Sequence, residues 1–164
     1  MFPSPPASAR RGPSFRACLV DLLDLALIGK QAHWNVEVRH FRSLHGELDE
    51  LVDSWHALAD VVAERAVSLG AAPDGQAETI AGSSEIEPLP GGHLDGADVV
   101  ALMGDRLAEV IARVRERMTR IAAIDPVSEH VLIDVAATLE KQLWMLRAQR
   151  GGLLTWDDRS SPAR

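Results

Sequence analysis

Four segments of this chain carry apolar residues at helical spacing. The longest runs from Phe41 to Leu69, about eight turns at 3.6 residues per turn, before Gly70 and Pro73 stop it. The other three cover about 16–36, 98–124 and 126–150. No segment shows sustained alternation of apolar and polar residues, so strands are not required.

The connections between these segments predict their arrangement. Short turns join the first segment to the second and the third to the fourth, whereas 70–96 is a long crossover. Two hairpins and one crossover form the ferritin-like type of four-helix bundle. A structureless stretch of that length is uncommon in a compact domain, so we expect a short helix near 78–83. The sequence therefore predicts an all-α, ferritin-like four-helix bundle over 16–152, with a flexible N-terminal tail (1–15) and a C-terminal tail (153–164).

Composition sets the protein class. A chain of 164 residues that is 46% hydrophobic suits a single domain. No apolar stretch approaches the ~18 residues that a membrane span needs, so we expect a soluble protein. No signal-peptide core precedes Arg10, and the single cysteine, Cys18, agrees with a reducing cytoplasm. We therefore expect a cytoplasmic protein, with association to the nucleoid left open.

The charge distribution limits DNA binding to a local contact. A net charge of −7 argues against a generally basic surface. The first sixteen residues contain no acidic residue and carry three arginines, Arg10, Arg11 and Arg16. These are the candidate DNA-binding residues.

A set of candidate metal ligands lies on one face of the second helix. At 100° per residue, His45, Asp49, Asp60 and Glu64 point at about 0°, 40°, 60° and 100°. The apolar residues of this helix lie between about 220° and 340°. Scattered acids usually form a solvated face, but a histidine with carboxylates at i,i+4 spacing, twice over, favours metal binding.

Helix geometry separates these ligands into two pairs. The pair His45/Asp49 lies roughly 22 Å from Asp60/Glu64, at 1.5 Å per residue. One metal ion cannot contact both pairs in one chain. Two copies of the helix, packed antiparallel about a two-fold axis at the level of residues 54–55, would form two composite sites. Ligand type alone does not choose among iron, manganese and zinc.

Four motifs of this sequence resemble the Dps mini-ferritins, and the resemblance spans about residues 17–150. They are QAHWNV (31–36), FRSLHGELDEL (41–51), DVVAERAVSLG (60–70) and LEKQLWML (139–146), with PDG (73–75) and PGG (90–92) in the crossover. The histidine spacing within these motifs makes the pattern more specific than a ferritin fold requires.

The resemblance implies that His33, His45 and Asp49 of one subunit face Asp60 and Glu64 of its two-fold mate as ferroxidase ligands. It adds His33, which periodicity alone leaves as a lone histidine beside an apolar helix end. Trp34 would lie against the metal site; otherwise it is an ordinary core aromatic. Three further acids are candidates for mineral nucleation or simply solvate the surface: Glu47, Glu50 and Asp53.

The implied function is oxidation of iron(II), preferably by hydrogen peroxide, with iron(III) stored inside a shell of twelve identical subunits. Such a protein protects against oxidative damage and needs no organic cofactor. The alternative is a nucleoid protein that compacts DNA non-specifically through its tails. A zinc-dependent hydrolase would require a substrate cleft and three ligands close together in one chain, and neither is visible in the sequence.

Several positions depart from the Dps pattern. Glu37-Val38-Arg39 follows Asn35-Val36 where the family commonly has a glycine. His130, after Glu129, falls where an acid often lines the pore through which iron enters. The acid at the pore would then come from Asp125, Glu129 or Asp134, although each of them is equally explained as a charge at a helix end. We expect His56 to lie at the subunit interface and His40 and His93 to have no role.

Overall fold

The computed structural model describes residues 7–37 and 41–149, with side chains from Ser14 in the first helix and from Ser43 in the second. Its helices are α1 (Ala7–Asn35), α2 (Phe41–Ser68), α3 (Ala77–Ser83), α4 (Gly96–Ala122) and α5 (Pro126–Gln149). Four are long, and the short α3 lies within the crossover. The predicted fold class is confirmed.

The bundle consists of two antiparallel hairpins, because α1 packs along α2 and α4 packs along α5. The hairpins meet where α1 contacts α4 and where α2 contacts α5. The largest fully buried side chains come from all four long helices and include Trp55, Leu22, Leu107 and Leu139. Helical periodicity thus directs one apolar face of each helix into a shared core.

The first helix begins at Ala7, whereas we expected it to begin near Arg16. Phe15 is fully buried in the core, and burial of such a side chain stabilises the fold by about 1.5–3 kcal/mol. The described part of the predicted N-terminal tail is therefore helical, because apolar packing starts before Arg16. Residues 1–6 and the predicted C-terminal tail lie outside the described residues.

The first part of the crossover, from Gly70 to the start of α3, is held by local backbone and side-chain contacts. Gly70 ends α2 with a φ of 80°, a conformation that favours glycine. Asp74 accepts hydrogen bonds from the backbone N–H of Gln76 at 3.2 Å and from the hydroxyl of Thr79 at 2.8 Å. These contacts position the start of α3, which the sequence placed correctly.

A short strand pair joins the two hairpins. β1 (Val36–Glu37) pairs in parallel with β2 (Leu94–Asp95), with Val36 opposite Leu94. The residue pattern does not predict this pair, because two residues are too few to show alternation. The pair fixes the end of α1 beside the start of α4.

Within the described residues, no helix combines the length and the apolar character that crossing a membrane requires.

Candidate metal centre

The centre lies between α1 and α2, one turn beyond a close approach of the two helices at Gly29. A Cβ atom at Gly29 would lie 2.6 Å from Cζ3 of Trp55 and 2.9 Å from Cγ2 of Val52. Any larger residue would therefore force the two helices apart. One turn further along α1, His33 faces α2 at the level of His45.

The two histidines hold each other in place. Their rings stack, with centroids 3.5 Å apart and planes inclined by 28°. Nδ1 of His33 lies 3.0 Å from the backbone oxygen of His45, and Nδ1 of His45 lies 3.1 Å from the backbone oxygen of His33. A carbonyl oxygen only accepts, so each Nδ1 carries the proton. In the neutral imidazole the lone pair is then on Nε2, the atom with which such a ring binds a metal.

Asp49 completes a group of three ligands. One ligand atom each from His33, His45 and Asp49 lies within 4.8 Å of the others, and among the described residues this is the group of three or more that could hold a metal ion. Oδ1 of Asp49 lies 3.3 Å from Nδ1 of His33. His33 is 6% exposed, while the other two are half-buried, so the centre opens to the surface.

The ammonium group of Lys30 also contacts this centre, which the sequence did not indicate. It donates a hydrogen bond to Oδ1 of Asp49. This bond, aided by the nearby histidines, holds the pKa of the Asp49 carboxyl below its ordinary value of 3.8. A metal ion that binds Asp49 must therefore compete with a cation of the same chain. Only its position one turn before His33 could have pointed to Lys30.

Asp60 and Glu64 do not join the centre within one chain. Both are exposed, on the same face of α2 as Asp49 but about three to four turns further along. The structure thus assembles three of the five predicted ligands and leaves the other two on the surface.

The surface between the two ligand groups is open in the single chain. His56 is exposed there, and its role at a subunit interface stays a prediction. Trp55 points the other way: it is fully buried, and its Nε1 donates to Oε1 of Gln142 at 2.9 Å. Trp34 is 67% exposed in the single chain, so it is not packed as an ordinary core aromatic.

Comparison with known proteins identifies the family. The model of the ferritin-like domain matches residues 17–153. The crystal structure of Dps92 from Deinococcus radiodurans superimposes with a TM-score of 0.86 and 31% identity, covering 96% of this chain and 99% of that one. This chain belongs to the Dps family of ferritin-like proteins.

Two further relatives agree with this. The DNA protection during starvation protein 2 of Deinococcus radiodurans is 37% identical over 130 residues, which is 79% of this chain and 54% of the relative. This chain thus spans about half the length of that relative. The Dps of Microbacterium arborescens, solved in a high iron form, is 25% identical with a TM-score of 0.85, covering 93% of this chain and 99% of that one.

The three acids that resemblance to Dps suggested for mineral nucleation differ in their surroundings. Glu47 accepts hydrogen bonds from Nε2 of Gln149 at 2.7 and 2.6 Å. Glu47 and Glu50 line a groove between α2 and α5. The direction of Asp53 differs from that of His45 by about 80° around the helix axis, so Asp53 lies on the face of α2 that carries the metal ligands. The three acids follow one another at three-residue spacing along α2, and their role in mineral nucleation stays a prediction.

Asp125 lies at a helix end in this Dps chain, in keeping with the second of its two interpretations, and its role in a pore stays a prediction. It is buried and forms an ion pair with Nη2 of Arg65 at 2.9 Å. It also accepts from the hydroxyl of Ser128 at 2.8 Å and from the N–H of Val127 at 3.2 Å, which caps α5. Asp134 instead lies exposed, 3.7 Å from Nε2 of His130.

The arginines proposed to bind DNA differ in their surroundings. Arg16 contacts Asp74 of the crossover at 3.6 Å, so it already has an acidic neighbour. The backbone of Arg10 and Arg11 is helical, and their side chains lie outside the described residues. His40, at the departure from the family turn, also lies outside the described residues, while His93 contacts Glu37 at 3.3 Å.

Proposed function

We propose that this protein binds and oxidises iron(II) at sites shared by two subunits and stores the iron(III) product in a twelve-subunit shell. Membership of the Dps family supports an iron-related protective function. The observation that carries the proposal is the geometry of the ligands. His33, His45 and Asp49 converge, while Asp60 and Glu64 remain exposed on the same helix face.

The ligand set suits the substrate. Two imidazoles and a carboxylate bind iron(II) but do not fill its coordination sphere, so positions remain for the partner's carboxylates and for an oxidant. The reciprocal hydrogen bonds of His33 and His45 fix the orientation of both rings before iron arrives. Little reorganisation is then needed when the substrate binds.

The proposed oxidant is hydrogen peroxide. Two iron(II) ions give up one electron each, and these two electrons with two protons reduce one peroxide molecule to two water molecules. The O–O bond is cleaved without release of a hydroxyl radical. The Dps of Microbacterium arborescens has been solved in a high iron form, and this supports iron as the substrate.

Charge-neutral replacement of the two exposed carboxylates tests the shared site. Asp60→Asn with Glu64→Gln should lower the rate of peroxide-dependent iron oxidation at least tenfold, because several kcal/mol of metal binding depend on these ligands. A matched control exists on α4, where Asp105 and Glu109 are also exposed at i,i+4 spacing. Asp105→Asn with Glu109→Gln should leave the rate unchanged. Equal rates in both double variants would contradict the proposal.

Mixing two inactive variants shows whether the site spans two chains. His45→Ala removes one half of each composite site, and Asp60→Asn with Glu64→Gln removes the other. In a hybrid dimer one site has both halves intact and the other has neither. An equal mixture should regain about a quarter of the wild-type sites, since half the dimers are hybrid. A site within one chain would regain none.

DNA binding remains the alternative, carried by Arg10, Arg11 and Arg16. Twelve copies of the N-terminal segment would give a multivalent, salt-sensitive contact with phosphates. A gel-shift at low salt should lose retardation when the three arginines are replaced by glutamine. If the wild-type shell retards no DNA, this role is refuted.

A further inference from the structure

Trp55 is a buried indole close to the metal centre, and the proposed function leaves it without a role. It is fully buried within one chain, so assembly with other subunits does not change its surroundings. A Cβ at Gly29 would lie 2.6 Å from Cζ3 of Trp55, and His33 follows Gly29 by one helical turn. Cβ atoms at this spacing lie about 5–6 Å apart, so Cζ3 of Trp55 is within about 9 Å of Cβ of His33.

Packed protein connects the indole to this ligand. In an α-helix the backbone N–H of one residue donates to the carbonyl oxygen four residues earlier. The backbone of His33 is therefore one hydrogen bond away from that of Gly29 in α1, and Trp55 packs directly on Gly29. An electron that passes between the centre and the indole crosses a close-packed helix contact and no layer of solvent.

A hydrogen-bonded amide holds the other side of the indole. Nε1 of Trp55 donates to Oε1 of Gln142 at 2.9 Å, and Nε2 of Gln142 donates to the hydroxyl of Ser54 at 2.9 Å. An indole N–H only donates, so both bonds require the amide oxygen to face Trp55. Hydrogen bonds from a charged donor are roughly twice as strong as neutral ones. Gln142 therefore stabilises an indole that has lost an electron more than it stabilises the neutral ring.

Few other side chains of this chain can supply an electron. The sequence contains no tyrosine. Burial raises the pKa of the Cys18 thiol to about 12, so Cys18 stays in the unreactive protonated form. Of the tryptophans in the described part of the chain, Trp55 alone is buried within the single chain.

We propose that Trp55 gives an electron to the centre when a single iron(II) ion is bound there. This inference rests on the proposed oxidation of iron(II) by hydrogen peroxide. Cleavage of the O–O bond to give two water molecules takes two electrons and two protons from solvent. The iron(II) ion gives one electron and becomes iron(III), and Trp55 gives the other and becomes a radical cation. A later iron(II) ion returns the electron to Trp55, so two iron(III) ions form for each peroxide and no hydroxyl radical is released.

Electron paramagnetic resonance after rapid freezing tests the proposal. The full-length protein is loaded anaerobically with one iron(II) ion per site and mixed with hydrogen peroxide. Wild-type protein should give a tryptophan radical, identified because ring-deuterated tryptophan narrows its signal. Trp55→Phe should lose this signal, and a spin trap should then detect hydroxyl radical. Trp144→Phe on α5 is the matched control, which should keep the tryptophan radical and release no hydroxyl radical.

A second variant covers the case in which loss of the buried indole disturbs folding. Replacement of the other three tryptophans by phenylalanine (Trp34, Trp144 and Trp156) leaves Trp55 in its native core, and this chain should still form the radical. A radical that persists in Trp55→Phe, or that is missing from the chain that retains only Trp55, overturns the inference. Wild-type protein that forms iron(III) without a tryptophan radical also overturns it and leaves the proposed function intact. Absence of iron(III) formation refutes both.

Discussion

Gly29→Ala tests whether the close approach of α1 and α2 builds the metal centre. The new Cβ would lie 2.6 Å from Trp55 and 2.9 Å from Val52, whereas carbon atoms in contact normally lie ~3.5–4.0 Å apart. Trp55 is fully buried and donates a hydrogen bond to Gln142, so it cannot easily move away. The helices must separate by roughly 1 Å to restore normal contact.

The energetic effect follows from two opposing terms. Overpacking of a core costs about 1–3 kcal/mol, and replacement of glycine by alanine within a helix returns about 1 kcal/mol. We therefore expect Gly29→Ala to lower the free energy of unfolding by up to about 2 kcal/mol. Gly46→Ala is the matched control, because its Cβ meets nothing within 4 Å. It should be neutral or stabilising by up to ~1 kcal/mol.

The same separation should weaken metal binding, because His33 lies one turn after Gly29 and must stay near His45 and Asp49. Cobalt(II) is a suitable probe, since its visible spectrum reports the ligands directly. We expect cobalt(II) to bind at least tenfold more weakly to Gly29→Ala and with unchanged affinity to Gly46→Ala. The free energy of unfolding of both variants is measured by denaturant titration. If Gly29→Ala is as stable as the control and binds cobalt equally well, the close helix contact does not position the centre.

Three further predictions concern charged and titrating groups. Lys30→Met should raise the pKa of Asp49 towards 3.8 and tighten zinc binding by calorimetry. A carboxyl whose pKa is lowered by folding stabilises the protein above its ordinary pKa of 3.8, and this contribution is lost as the pH falls through the pKa of the folded protein. The variant should therefore lose less stability below pH 3.8 than the wild type does. An unchanged dependence of stability on acid pH would contradict this. Burial raises the pKa of Cys18 from 9.0 to about 12, so at pH 8 its reaction with a disulfide reagent should be about a thousandfold slower than in urea; fast labelling of the folded protein would refute the burial. Asp125→Ala should destabilise the fold by ~3 kcal/mol through loss of an ion pair and a helix cap, whereas Asp134→Ala should change stability by less than ~0.5 kcal/mol, as measured by chemical denaturation.

The residue pattern alone predicts the four long helices, and the pattern together with the resemblance to Dps names the candidate ligand residues. Because the spacing of apolar residues is a local property of the sequence, it predicts that α2 begins at Phe41 and ends before Gly70. The short helix in the crossover followed from the length of that connection. The Dps motifs supplied His33, which helical spacing alone does not single out.

Which of these groups meet depends on how the helices pack against one another. His33 and His45 exchange hydrogen bonds across two helices, Lys30 reaches Asp49, and Asp125 turns inward to Arg65. Each contact joins residues at least twelve positions apart, and their approach depends on packing details such as the missing side chain at Gly29. Local periodicity carries no information about such distances, because it fixes the direction of a side chain around its own helix and not its neighbour on the next.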